Sequence, residues 1–125
     1  MSDNKDYITR YEADGTVNIS AEVVCSIAAL AASEVEGVCG LSQSRSAEIA
    51  ELLGKKMLSQ GVELTAQEDS YVVECNVVLE HGYRIPQVAA EVQKEVAQAI
   101  ESTTGIQVAA VNVNISAIDM PKKSN

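Results

Sequence analysis

The 125-residue sequence has no tryptophan and no phenylalanine, and its 3% of aromatic residues are all tyrosine. With 46% of the residues hydrophobic, the core must come from Val, Ile, Leu and Ala, which favours thin, closely approaching layers over large ligand pockets. Histidine occurs once, as His81 between Glu80 and Gly82-Tyr83-Arg84. A general base or a metal site needs converging partners, and spacing supplies only Glu80, so His81 reads as a strand-end loop residue. The three cysteines, Cys25, Cys39 and Cys75, are widely spaced and form no CxxC pair. With no signal peptide in view, they imply a reduced, cytoplasmic setting and are expected to be small core residues. The longest apolar run of the first helix, Ile27 to Ala32, is far short of the roughly 20 residues of a membrane span, so direct membrane insertion is not expected. No nucleophile is paired with a base, and neither a metal-ligand cluster nor a phosphate loop is present. The expectation is a non-enzyme with no catalytic residue, no cofactor and no metal.

Charge narrows the partners. The formal net charge of -9 and a pI near 4.5 repel phosphate backbones and anionic lipid headgroups, which argues against nucleic acid and against a bare membrane surface. Gly37-Val38-Cys39-Gly40 spells the GxxG of a nucleic-acid clamp, but Glu34 and Glu36 precede it and no basic residue flanks it. Lys55-Lys56 reads as the solvated end of a helix.

At this length the chain is one domain by size. Met1 to Ala13 mixes charge with two tyrosines and shows no period, so it is expected to be a mobile arm able to dock locally, followed by one folded domain over residues 14–119 and a polar tail over 120–125. After the Asp14-Gly15 turn, Thr16 to Ile19 reads as a short strand with Val17 and Ile19 on one face and Asn18 on the other. Ser20 is placed to cap a helix from Ala21 to about Glu34, with Glu22 in its first turn. Its stripe is read as Val23, Ile27, Leu30 and Ala31, widened by Val24, Ala28 and Ala32, and Gly37 follows the helix end. A second strand is expected from Val38 to Ser42, and a short helix within 44–58. Val62, Leu64 and Ala66 alternate with Glu63, Thr65 and Gln67 as a half-buried strand. A short polar connection then leads to a longer strand, Tyr71 to Glu80, and an antiparallel hairpin. Pro86 opens a second helix with the stripe Val88, Val92, Val96, Ala99 and Ile100, which Gly105 ends. The last strand, Val108 to Ile118, puts Val111, Val113, Ile115 and Ala117 opposite Asn112, Asn114 and Ser116.

Two amphipathic helices and several one-faced strands are satisfied by an α+β, two-layer sandwich. Both helices lie on one face of a mostly antiparallel sheet, and the other sheet face stays exposed. The exposed residues are expected to be Asn18, Glu74, Asn76, Asn112, Asn114 and Ser116. Asn and Ser are poor strand formers, so their alternation spends strand propensity on hydrogen-bonding groups. The six are read as a candidate surface for docking another protein or a second copy of the chain.

The runs TVNISAEVVCSIAALAASEVEGV, GKKMLSQGVEL and YRIPQVAAEVQKEVAQAIESTTGIQVAAVNVNISAI resemble the alkaline shock protein family, the envelope stress response proteins of Gram-positive bacteria. The resemblance covers about Gly15 to Ile118, and its more specific part is the second half. It implies a small cytoplasmic protein without known catalytic activity, with some relatives brought to the membrane by a separate anchor protein. Others, encoded beside fatty-acid synthesis genes, are suspected of modulating that pathway. The family has no agreed ligand motif to carry over. The expected function is therefore a structural or adaptor role in the cell-envelope stress response, homo-oligomeric and held to the membrane by an anchored protein partner. The alternative is a regulator that binds an enzyme of fatty-acid synthesis.

Overall fold

The computed structural model describes residues 7–42, 61–67 and 70–120. The short helix expected within 44–58 and most of the C-terminal tail lie outside the described residues. The described elements run β1 (Tyr7–Glu12), β2 (Gly15–Ser20), α1 (Ala21–Ser33), β3 (Val38–Leu41), β4 (Val62–Gln67), β5 (Ser70–Glu80), α2 (Ile85–Thr104) and β6 (Val108–Asp119).

β5 is the centre of the main sheet. One of its edges pairs antiparallel with β4 along its first half and with β3 along its second. The other edge pairs with β6 in parallel along nearly its whole length. The alternation of β5 is complete: Val73, Cys75, Val77 and Leu79 are fully buried on the face that packs against the helices. α2 adds Val88, Val92, Val96 and Ile100, one residue per turn, four of the five residues of the expected stripe, with Ala99 only half-buried. Pro86 lies in the first turn of α2. Gly105 closes the helix at φ 80°, a left-handed conformation in which its N–H donates to the Glu101 carbonyl. The fold is thus α+β, with both helices on one sheet face. Three of the four strand pairings, β1–β2, β3–β5 and β4–β5, are antiparallel.

α1 begins where expected, with Ser20 Oγ accepting from the Glu22 N–H at 3.0 Å. Its buried face differs from the expected stripe: Val24, Cys25, Ala28, Ala29 and Ala32 point inward, whereas Val23 and Leu30 are 48% and 61% exposed. The small side chains of this face let α1 lie close to the sheet and to α2 beside it, while the bulkier Val23 and Leu30 turn out.

Two further expectations are corrected. Tyr7–Glu12 is not a mobile arm but a strand paired antiparallel with β2 in a separate two-stranded sheet. Buried Ile8 lies opposite Ile19, and the guanidinium of Arg10 donates from Nη1 to the Gly105 carbonyl at 2.9 Å, fastening the hairpin to the end of α2. In β6 the inward series does not continue from Ile115 to Ala117. A register irregularity between Val77 and Val78 of β5 shifts the pairing, so Ala117 is exposed and Ile118 packs against the core.

Candidate functional site

No described element covers the second face of the main sheet, and five of the six residues expected there meet on it. Strand register sets Glu74 beside Asn112 and Asn76 beside Asn114. Glu74 accepts from both neighbouring amides, Oε2 from Asn112 Nδ2 and Oε1 from Asn114 Nδ2, each at 3.1 Å. Asn114 Nδ2 donates in addition to Asn76 Oδ1 at 3.0 Å, and Asn76 Nδ2 donates to the Gly61 carbonyl at 3.4 Å. Ser116 extends the row, donating to the Val77 carbonyl at 3.2 Å and sharing a 2.7 Å hydrogen bond with Ser42 Oγ. Each of the three amides spends its Nδ2 donor on holding the row.

Asn18 is not part of this row. It lies in β2, in the other sheet, where its Oδ1 accepts from Thr9 Oγ1 at 2.7 Å. Two residues outside the expected set join the surface. Glu63 sits directly across from Glu74 in the β4–β5 register, and its place in the period-2 alternation of β4 was a usable signal. Ser42 had none, because it joins the row only through the β3–β5 pairing, where its N–H donates to the Asn76 carbonyl at 2.9 Å. Farther along the same face Glu80 stands opposite Asp119. The surface is acceptor-rich, with carboxylates and amide oxygens and, among the described residues, no Lys or Arg side chain. It suits a partner that brings N–H donors or positive charge.

The thiols are not placed for chemistry. Cys25 and Cys75 are buried as expected, and Cys39 is exposed, contrary to expectation, at the register irregularity between Val38 and Gly40. Burial pushes the Cys75 thiol up to about 12, with Cys25 and Glu74 adding to the effect. Burial, then Glu63 and Glu22, pushes Cys25 up to about 11. Cys39 is raised as well, first by desolvation and then by Asp119 and Glu80. At neutral pH all three are protonated and weakly nucleophilic. His81 is exposed at the end of β5, its N–H donating to the Asp119 carbonyl at 3.3 Å. Among the described residues no three His, Cys, Asp or Glu side chains are grouped to hold a metal ion.

An open groove between α1 and α2 is lined by Ala31, Glu34, Glu36, Glu91, Glu95 and Ala99, among others. The Tyr83 hydroxyl donates to Glu36 Oε2 at 3.2 Å near one end of it, and that hydrogen bond holds the phenol above its usual range. The sequence hid this groove because Glu34 and Glu36 come from the connection after α1 and Glu91 and Glu95 from α2, and no periodicity reveals how these segments pack together. None of the described helices is long and apolar enough to cross a membrane.

Comparison with known proteins supplies a context. The chain is 32% identical over 110 residues to the uncharacterized protein YqhY of Bacillus subtilis, an alignment covering 88% of this chain and 82% of that protein. It is 31% identical over 105 residues to the uncharacterized protein Spy1535 of Streptococcus pyogenes, covering 83% and 79%. Among solved structures, a MamM CTD variant superposes with a TM-score of 0.48 at 16% identity, over 78% of this chain and 95% of that one. The family model for the alkaline shock protein 23 family, described as having a cell envelope-related function, matches residues 9–120. Spanning nearly the whole described fold, that match places the chain in the alkaline shock protein 23 family, with its cell envelope-related function.

Proposed function

We propose that this protein is a non-catalytic adaptor of the cell-envelope stress response that works through its open sheet face, docking a protein partner anchored in the membrane. The observation that carries the reading is the row Glu74, Asn112, Asn114 and Asn76, whose hydrogen bonds are already made before any partner arrives. Side chains fixed in this way lose little further conformational entropy on association, which favours a binding surface over a merely solvated one. Thiols that stay protonated at neutral pH support contact over catalysis. An acidic chain needs such a partner to reside at a membrane, because its own charge is repelled by anionic headgroups.

The test replaces Asn76, Asn112 and Asn114 together by Lys and compares capture by the variant and by the unaltered chain from membrane and soluble fractions, with mass spectrometry of what is retained. The reading expects a membrane-spanning partner held by the unaltered chain and lost from the variant while circular dichroism stays the same. Retention of a soluble enzyme of fatty-acid synthesis in place of a membrane protein would move the function to the metabolic regulator. Equal capture by both proteins would remove the sheet face from the account.

A further inference from the structure

β6 is an edge strand of 12 residues. Its inner edge pairs with β5, and among the described residues no strand pairs with the other edge. Natural proteins guard edges of this length with charges, Pro, bulges or short strands; from Val108 to Ile118 β6 carries no charge and no Pro, and its guard is limited to the two register irregularities with β5. Its core-facing side chains are also incompletely covered. Where Val73, Cys75, Val77 and Leu79 of β5 are fully buried, their neighbours Val113, Ile115 and Ile118 on β6 are only half-buried.

The order of residues along this edge is nearly symmetric about Val113. Val108, Val111, Val113, Ile115 and Ile118 pack toward the helices. Register irregularities fall on both sides of the centre, one between Val108 and Ala110 and one between Ile115 and Ala117. An antiparallel copy of the strand turned about Val113 therefore sets Val111 against Ile115, Val108 against Ile118, Asn112 against Asn114 and Ala109 against Ala117. Each of these pairs matches in polarity, whereas Ala110 meets Ser116. Ala109 and Ser116, the two residues that the irregularities leave out of the β5 pairing, fall one step out of register with each other, and Asp119 falls opposite Gln107 with no facing carboxylate. On a molecule of charge -9, this uncharged stretch is where a second acidic copy approaches with least repulsion.

We propose that the free edge of β6 pairs antiparallel with the same edge of a second copy of this chain, making one continuous sheet across a two-fold axis through Val113. The pairing is isologous, so each copy offers and receives the same residues. It rests on the adaptor reading only in that the amide rows of both copies then lie on one doubled face. A single strand edge with its flanking side chains is a small contact, so the dimer is expected to depend on concentration.

The test is sedimentation equilibrium of the full chain across a wide concentration range, with backbone hydrogen exchange read along β6. A monomer–dimer equilibrium is expected. It should be tighter at raised salt, because screening weakens the repulsion of two acidic bodies, and amide protection in 108–118 should rise with concentration. Ala109 and Ala117 are both exposed, so changing them leaves the core alone. The pair Ala109→Lys, Ala117→Lys sets like charges opposite each other twice and should weaken the dimer at least tenfold. The pair Ala109→Lys, Ala117→Glu sets opposite charges there and should restore it to within about threefold. A chain that stays monomeric throughout, protection that rises elsewhere, or equal effects of the two double variants would overturn the proposal. Loss of dimerisation does not by itself alter partner capture by the amide row, so the two readings fail separately.

Discussion

Removal of the Glu74 carboxylate separates a binding row from a structural one. In Glu74→Ala, Asn112 loses its acceptor and Asn114 keeps only Asn76. A buried charge-assisted hydrogen bond is worth about 1.5–3 kcal/mol, but on a face open to water each of these two is worth nearer 0.5 kcal/mol, because solvent replaces the lost acceptor. Against that loss, the substitution relieves the like charge of Glu63 directly across the pair, a gain of about 0.2–1 kcal/mol. The two effects nearly cancel, so stability should change by less than about 1 kcal/mol, a shift of at most a few degrees in Tm for a domain of this size. Partner capture should nonetheless fall sharply, since the amides of β6 lose the group that orients them. Glu74→Gln keeps one acceptor and should fall between the two in capture. Thermal unfolding by circular dichroism and quantitative capture are read on the same preparations. A destabilisation above about 3 kcal/mol, or capture unchanged in Glu74→Ala, would refute the reasoning.

Other expectations follow from the fold. Ile8→Ala should cost about 2 kcal/mol in denaturant unfolding, at the low end for a buried isoleucine, because Ile8 ties the β1–β2 hairpin to the core; no change would mean that the hairpin is not docked. Gly105→Ala should cost about 1–2 kcal/mol through the left-handed φ of 80°, while the nearby Arg10 guanidinium can swing aside. In the folded protein at neutral pH a thiol reagent should reach Cys39, slowly because its thiol is raised, and leave Cys25 and Cys75 until unfolding. Both buried thiols titrate higher in the folded chain than in the unfolded one. Their contribution to stability is therefore complete below about pH 9 and is lost as pH rises toward the folded values of about 11 and 12. Unfolding midpoints measured from pH 8 to 11 should fall, and Cys75→Ala should flatten that slope whatever it does to the midpoint itself.

What could be read from the sequence depended on how unevenly each element distributes its polarity. α2 alternates Val and Ile with Glu, Gln and Lys at a clean helical period, so the four buried residues of its stripe were legible, with only Ala99 placed too far in. β4 and β5 announced themselves by period-2 alternation and their short connection. α1 is apolar nearly all round, and two stripes offset by one residue fit it equally. The choice between them was made by the narrow space under the helix, which only tertiary structure defines. β1 has a single anchoring apolar residue, Ile8, among charges and tyrosines, too little for a period. The row on the open face was legible as polarity along each strand. That Asn112 and Asn114 stand beside Glu74 and Asn76 was not, because alternation fixes faces without fixing neighbours. Asn18 carries the same signal as the other amides, and only strand pairing puts it in a different sheet.

The central claim, that the open sheet face docks a protein partner, is tested most directly by crosslinking at the face itself. A photoreactive residue in place of Asn112, exposed at the centre of the row, is compared in native cells with one in place of Gln98, which is exposed on α2 on the far side of the sheet. The account predicts a discrete adduct with a membrane-spanning protein from position 112, absent from position 98 and abolished by Glu74→Ala. Equal adducts from both positions, or none from position 112 in cells where the protein is abundant and folded, would contradict it.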